Sequence, residues 1–281
     1  MVESITARIK NAKLTKKERS VIEKITREIE KTAFLSGVQL AEACGVSSTF
    51  ITRLVQKLGY DKFTDFKNEL EGLYKKTTSP YDMFQHFIAG SNNYDVIKNS
   101  IVQDMKNISN MEKMLDLKTL DKAVTCIVEG KTVYLAAIFA SEIAVHALGH
   151  YLQRLGKPHI RLTGVGLSKK IEYSDIGEGD VLIAISSQRI LKEVLHAAVF
   201  AKEKGAVTIA VTDNSANPLA YACDYVLLAP VKGVAIDYTH TATLAMVNLI
   251  VNCIAARTPE LVAENLEKDD QKWGGKDLFC L

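Results

Sequence analysis

SGVQLAEACGVSSTFITRLVQKLG, residues 36–59, decides how the amino-terminal part of the chain is read. Ser36 is placed to cap a short helix, its hydroxyl accepting a hydrogen bond from an orphan backbone N–H. Leu40, Ala41 and Cys44 give that helix an inward stripe. Gly45 falls where the chain must reverse, and glycine tolerates the left-handed conformation such a turn requires. Val46 plugs the space between the two helices. Ser47 caps the second, in which Ile51, Leu54, Val55 and Leu58 recur at helical spacing until Gly59 ends it. Two short helices joined in this way make a helix-turn-helix.

The second helix leaves short hydroxyl residues and two cations outward. Its amino end fits the major groove, where such side chains reach base edges and phosphates. Ser47, Ser48, Thr49, Thr52, Arg53 and Lys57 are therefore the candidate contacts to double-stranded operator DNA. A longer helix precedes the unit, opened by a Thr15–Glu18 capping box, with Leu14, Val21, Ile22, Ile25 and Ile29 as its buried stripe. Residues 1–76 carry fifteen Lys/Arg against ten Asp/Glu, and residues 77–281 twenty against twenty-three. Positive charge is thus concentrated where phosphate would be met. The alternative is an ordinary helical bundle with a solvated basic face.

A chain of 281 residues, 47% apolar and 24% charged, has room for two globular domains. The net charge is only +2, so any nucleic-acid footprint has to be local. No apolar run reaches bilayer length, and the amino terminus has no signal-peptide pattern, so no membrane partner is expected. The cysteines at 44, 126, 223, 253 and 280 stand singly, without metal-ligand spacing. That usage fits a reducing cytoplasm.

Thr77-Thr78-Ser79-Pro80 reads as a hinge. Helical patterning resumes at 81–90 and over 93–115, where Ile97, Ile101, Met105, Ile108, Met111 and Leu115 form a stripe. The stripe serves either as the inner face of a core helix or as a contact with a second chain. From 117 onward short apolar runs alternate with helices. The runs are TVYLAAI (132–138), HIRL (159–162), VLIAIS (181–186), VTIAVT (207–212) and YVLLA (225–229). The helices are 117–129, 140–155, 191–204, a short NPLAYA turn (217–222) and 238–256. Such alternation predicts a five-stranded parallel sheet covered on both faces. The expected organisation is a helix-turn-helix domain at 1–76, connecting helices at 77–116, an α/β domain at 117–258 and a charged tail at 259–281, with Trp273 as its anchor. In open α/β sheets ligands bind beyond the carboxyl ends of the strands, here residues 136–141 and 186–193, both leading into helix amino ends that suit a phosphate.

LTKKERSVIEKI (14–25), LAEACGVSSTFITRLVQKLGYDKFTDFK (40–67) and GDVLIAISSQRILKEVLHAAVFAKEKGAVTIAVTDNSANPLAYACDYVLL (179–228) together resemble the RpiR family of bacterial transcriptional regulators. Members join an all-α helix-turn-helix domain to a flavodoxin-like α/β SIS (sugar isomerase) domain. The resemblance implies a homodimer or a homotetramer built as a dimer of dimers. It also implies an operator near carbohydrate-use genes and a phosphorylated sugar whose binding changes DNA affinity. It implies no cofactor and, as a rule, no catalysed reaction. Where the family often has threonine early in the recognition helix, this chain has Phe50, expected to turn inward or else to meet a thymine methyl.

The departures bear on the ligand. The family's Gly-x-Gly-x-Ser loop after the first strand corresponds to Ala137, Ile138, Phe139, Ala140 and Ser141, and the bulk of Phe139 is expected to intrude on the sugar's space. The Ser-x-Ser-Gly-x-Thr loop after the third strand corresponds to Ser186, Ser187, Gln188, Arg189, Ile190 and Leu191. Ser141, Ser186, Ser187, Gln188 and Arg189 mark the effector position. Three readings stay open. The pocket is vestigial and the domain only dimerises; or Arg189 or Lys192 holds another anion by charge; or a phosphosugar is kept by Ser141, Ser186 and Ser187.

Other constellations point less far. Glu142, His146 and His150 share a helix face at four-residue spacing, which permits metal ligation. The stretch HALGH lacks the glutamate of a zincin motif, so the face reads as solvated or interfacial and no metal is assigned. Asp237, Thr239 and His240 read as a helix cap. A sugar-phosphate isomerase is the enzymatic alternative; it requires an acid/base carboxylate or histidine beside an intact phosphate loop, and Glu193, which follows the altered loop, reads equally as a surface residue.

Overall fold

The computed structural model describes residues 5–77, 93–165, 173–235 and 238–273, together with Tyr81, Phe84 and Phe87. Positions 78–80, most of 81–90, Asp237 and Cys280 lie outside the described residues. The chain divides into two compact units, the second beginning at Asn93.

The first unit is helical: α1 (Ile5–Asn11), α2 (Lys16–Arg27), α3 (Ile29–Thr32), α4 (Gly37–Cys44), α5 (Ser48–Lys57) and α6 (Phe63–Thr77). Capping chemistry sets its boundaries. The Thr15 hydroxyl accepts from the Glu18 N–H at 3.3 Å while the Glu18 carboxylate accepts from the Thr15 N–H at 2.7 Å. Ser36 and Gln39 repeat this reciprocal pair at the start of α4. Gly45 adopts φ 68°, and the N–H of Val46 returns to the carbonyl of Ala41 at 2.9 Å, closing the turn. Ile22, Ile25, Leu40, Ile51, Leu54, Phe66, Leu70 and Tyr74 are fully buried together. The last three recur every fourth residue along α6, which lays one face across the helix-turn-helix.

The second unit runs α7 (Asn93–Met114), α8 (Leu117–Glu129), β1 (Val133–Ala136), α9 (Glu142–Arg154), β2 (His159–Leu162), β3 (Val181–Ile185), α10 (Lys192–Glu203), β4 (Val207–Thr212), α11 (Pro218–Ala222), β5 (Tyr225–Leu228), α12 (Thr241–Arg257) and α13 (Pro259–Trp273). All five strands are parallel, in the order β2-β1-β3-β4-β5. This is the expected doubly wound, flavodoxin-like sheet. Side chains alternate across it with period two. Val133, Leu135, Val181, Ile183, Ile185, Ile209, Val211 and Leu227 face a core shared with α8, α9 and α12. Tyr134, Ala136, Leu182, Ala184 and Ala210 face the core beneath α10. Burial on both faces is why the strands read as continuous apolar runs.

Two stretches differ from expectation. Residues 259–273 are not a loose tail but a helix, opened by Pro259 at its first position with Glu260 in the first turn. Val262 packs on the sheet's core, and Arg154 pairs with Asp269 at 3.6 Å. On α7, Met111 is buried and the Asn107 amide donates to the Lys232 carbonyl at 2.9 Å, but Ile97, Ile101, Met105 and Ile108 stand in solvent. Only part of the stripe is therefore an inner face.

Candidate functional site

The exposed side of α5 is the first candidate surface. The Ser47 hydroxyl accepts from the Phe50 N–H at 3.2 Å and sets the helix's amino end. Ile51, Leu54, Val55 and Leu58 are buried, which fixes the rotation of the helix. Ser47, Ser48, Thr49, Thr52, Arg53 and Lys57 are consequently all exposed on the other side. The Thr52 hydroxyl donates to the Ser48 carbonyl at 3.1 Å. Gln56 shares this face and was absent from the candidates. Its spacing of four from Thr52 and three from Arg53 is the signal that finds it.

Lys57 is not idle in the fold. Its ammonium donates to Glu18 at 2.7 Å, joining the end of α5 to the capping box of α2. That hydrogen bond leads the causes holding the Glu18 carboxyl down at about 2, followed by the backbone N–H of Thr15. Phe50 is half-buried at the edge of the core, as the inward reading requires, with the Lys17 ammonium 5.5 Å from its ring centroid. Arg8 reaches across to the carbonyl of Gly59 at 2.7 Å, satisfying an acceptor beyond the carboxyl end of α5.

The second candidate lies at the carboxyl ends of β1 and β3. These strands are neighbours with Ala136 level with Ala184, so the loops carrying Ser141 and Ser186–Arg189 begin side by side. Ser186 is buried and its N–H bonds to the Val211 carbonyl at 3.2 Å. Ser187 and Gln188 are half-buried, Arg189 is exposed, and Ser141 is half-exposed at the start of α9. Phe139 does not fill the pocket as expected: it is 69% exposed. Phe139 and Gln188 both adopt φ 58°, the left-handed region that favours glycine. Each N–H there is held by a carboxylate. Glu142 accepts from Phe139 at 3.2 Å and from Gly164 at 2.7 Å, and Asp213 accepts from Gln188 at 2.9 Å. Neither carboxylate stood among the effector candidates; Glu142 was singled out only for the metal-spaced face with His146 and His150.

Thr239 and Thr241 bond to each other through their hydroxyls at 2.9 Å ahead of α12, and His240 makes no side-chain cap. His146 bonds to Arg161 at 3.3 Å. Among the described residues no group of His, Cys, Asp and Glu has the arrangement of a metal site. A groove of about 480 Å³ runs along α10, lined by Tyr173, Leu195, His196, Val199, Phe200 and Glu203. None of the candidate effector residues is among these.

The family model for the rpiR-type helix-turn-helix domain matches residues 3–77, and that for the SIS domain matches residues 127–253. An HTH-type transcriptional regulator of Clostridium perfringens is 32% identical over 218 residues, covering 76% of this chain and 77% of that one. The chain belongs to the RpiR family. This RpiR-family regulator also shares its fold with solved structures. The sugar isomerase domain of an RpiR transcription factor from Sphaerobacter thermophilus is 29% identical, with a TM-score of 0.60 over 63% of this chain and 98% of that one. The NanR protein of Vibrio vulnificus, complexed with ManNAc-6P, is 21% identical, with a TM-score of 0.64 over 96% of this chain and 98% of that one. The two family domains coincide with the helical unit and the parallel sheet.

Proposed function

We propose that this RpiR regulator reads an operator through the outer face of α5, and that a sugar phosphate at the β1 and β3 loops changes its affinity for that DNA. The observation that carries the reading is the exposed row from Ser47 to Lys57, presented by a helix whose rotation is locked by four buried side chains. Ser47, Ser48, Thr49, Thr52, Arg53, Gln56 and Lys57 are the proposed contacts. Ser141, Ser186, Ser187, Gln188 and Arg189 form the proposed effector position, supported by adjacent strand ends and by a relative in the fold whose structure holds ManNAc-6P. The protein works in the cytoplasm as a homodimer or homotetramer and catalyses no reaction. The ligand acts only through its difference in affinity between two states of the protein, typically 5- to 150-fold in coupling.

The experiment selects duplexes from a randomised pool with the full-length protein, then measures binding against salt with and without ManNAc-6P. A steep loss of affinity with salt, weakened in Arg53→Ala and altered by the sugar phosphate, is the expected result. Absence of binding even at low salt contradicts the DNA reading. Binding indifferent to every sugar phosphate contradicts the effector reading alone.

A further inference from the structure

Phe50, Arg53 and Lys57 stand three and four residues apart and form one row along α5. The first turn of α2 lies against both ends of that row. The Lys17 ammonium is 5.5 Å from the centre of the Phe50 ring, and the next residue, Glu18, accepts from Lys57 at 2.7 Å. Neighbouring residues on α2 thus touch α5 at points two turns apart, which sets the amino end of α2 alongside the row. Arg53 stands exposed between the two contacts. We propose that Lys17 is a DNA contact: it meets the phosphate backbone beside the groove that α5 enters, and Phe50 is the positioning residue that holds it there.

Charge separates this role from that of an idle surface lysine. Lys57 carries its counter-charge with it, because Glu18 is its ion-pair partner. Lys17 is exposed and, among the described residues, has no ion-pair partner. An unpaired cation at the edge of a groove-reading helix can replace a counterion on phosphate. A long lysine stem loses rotamer freedom when it is held in one place. An aromatic face that attracts the ammonium lowers that cost, and the Phe50 ring is itself seated at the edge of the core. The threonine that the RpiR family often has at this position offers no such face. Phe50 is therefore neither only core nor a reader of thymine methyls; it acts on DNA through Lys17. The proposal rests on the operator reading of α5 and adds to it a residue from another helix.

The test is binding of the full-length protein to the duplex selected above, by fluorescence anisotropy across a range of salt. Lys17→Ala is expected to lower the slope of log affinity against log salt by about one. At low salt that is an affinity loss on the order of tenfold. The preference among operator sequences is expected to persist, since phosphate contacts carry no sequence information. Lys31→Ala removes the same charge from an exposed lysine on α3, past the far end of α2, and is expected to leave the slope unchanged. Phe50→Leu keeps apolar bulk without the ring. It is expected to lower the slope in the wild type and to add nothing in Lys17→Ala, whereas a merely structural Phe50 would weaken both proteins alike. An unchanged slope in Lys17→Ala, or an equal change in Lys31→Ala, overturns the proposal and leaves the operator reading standing. An equal effect of Phe50→Leu in both backgrounds overturns the role of the ring. A wild type that binds no duplex even at low salt ends both readings. If Phe50→Leu loses its folded circular dichroism spectrum, Lys17→Arg decides instead: a wild-type slope supports a cation meeting phosphate here, and the slope of Lys17→Ala overturns it.

Discussion

Phe139 and Gln188 occupy backbone positions that favour glycine, and neither is glycine. The left-handed region costs an L-residue about 1–2 kcal/mol, so something must hold each one there. The Glu142 and Asp213 carboxylates do so by accepting the N–H of the strained residue. At Phe139, which stands where the family has a glycine, the backbone thus keeps a glycine-like conformation without the glycine, which comparing residue types does not reveal. Phe139→Gly relieves the strain while giving up little buried surface, against roughly 0.5–1 kcal/mol of glycine backbone entropy. The expected net effect is stabilisation of up to about 1 kcal/mol in urea unfolding; a loss of that size would show that the ring is anchored. Glu18 offers a second test at this scale. Its folded value, about 2, lies below that of an unfolded glutamate. The carboxylate thus favours the folded state fully above the ordinary carboxylate range, and this contribution is lost as pH falls through about 2. In Lys57→Ala, carboxyl titration followed by NMR should move back up toward the ordinary range. An unmoved titration would mean that the Thr15 N–H alone holds it down.

At the scale of elements, helix starts and stops were legible because capping is local. Thr15, Ser36, Gly45 and Ser47 all act within a few residues of themselves. Helix α13 was not legible, since of its apolar residues only Val262 packs on the core, while Leu261 and Leu266 are exposed among acidic neighbours. The face of α7 was ambiguous for a similar reason: periodicity shows that a side is apolar, not what covers it. The distinction between cap and reader on α5 can be measured. Ser47→Ala removes the acceptor for the Phe50 N–H and should cost about 1 kcal/mol of stability. Arg53 is exposed and, among the described residues, has no hydrogen bond or ion pair, so Arg53→Ala should leave stability within about 0.5 kcal/mol of wild type. It should nevertheless weaken DNA binding and reduce the salt slope by about one. An Arg53→Ala protein that binds duplex DNA with unchanged slope would remove Arg53 from the interface.

Across the whole molecule, the parallel sheet was readable because strands buried on both faces must be apolar throughout, and the intervening helices gave the order of elements. The effector position was readable as a place but not as a chemistry. Strand topology brings the ends of β1 and β3 together whatever residues follow them, whereas the ligand depends on which donors the loops still offer. Ser186 is the best-placed of these, buried directly beyond β3. The two-unit architecture sharpens the measurement, because a ligand held by the SIS unit raises the unfolding temperature of that unit and not directly that of the other. At a hundred times its dissociation constant, a ligand that binds only the folded state adds about 2.7 kcal/mol. For a unit of this size that is a rise on the order of 5–10 °C. We expect such a rise with ManNAc-6P or another sugar phosphate, reduced in Ser186→Ala. A rise with sugar phosphates that survives in Ser186→Ala would move the site away from the β3 loop. A rise with inorganic phosphate alone would assign the loops to an anion without a sugar. No rise with any of them would leave Glu142 and Asp213 as the permanent occupants of the N–H groups that a phosphate would need.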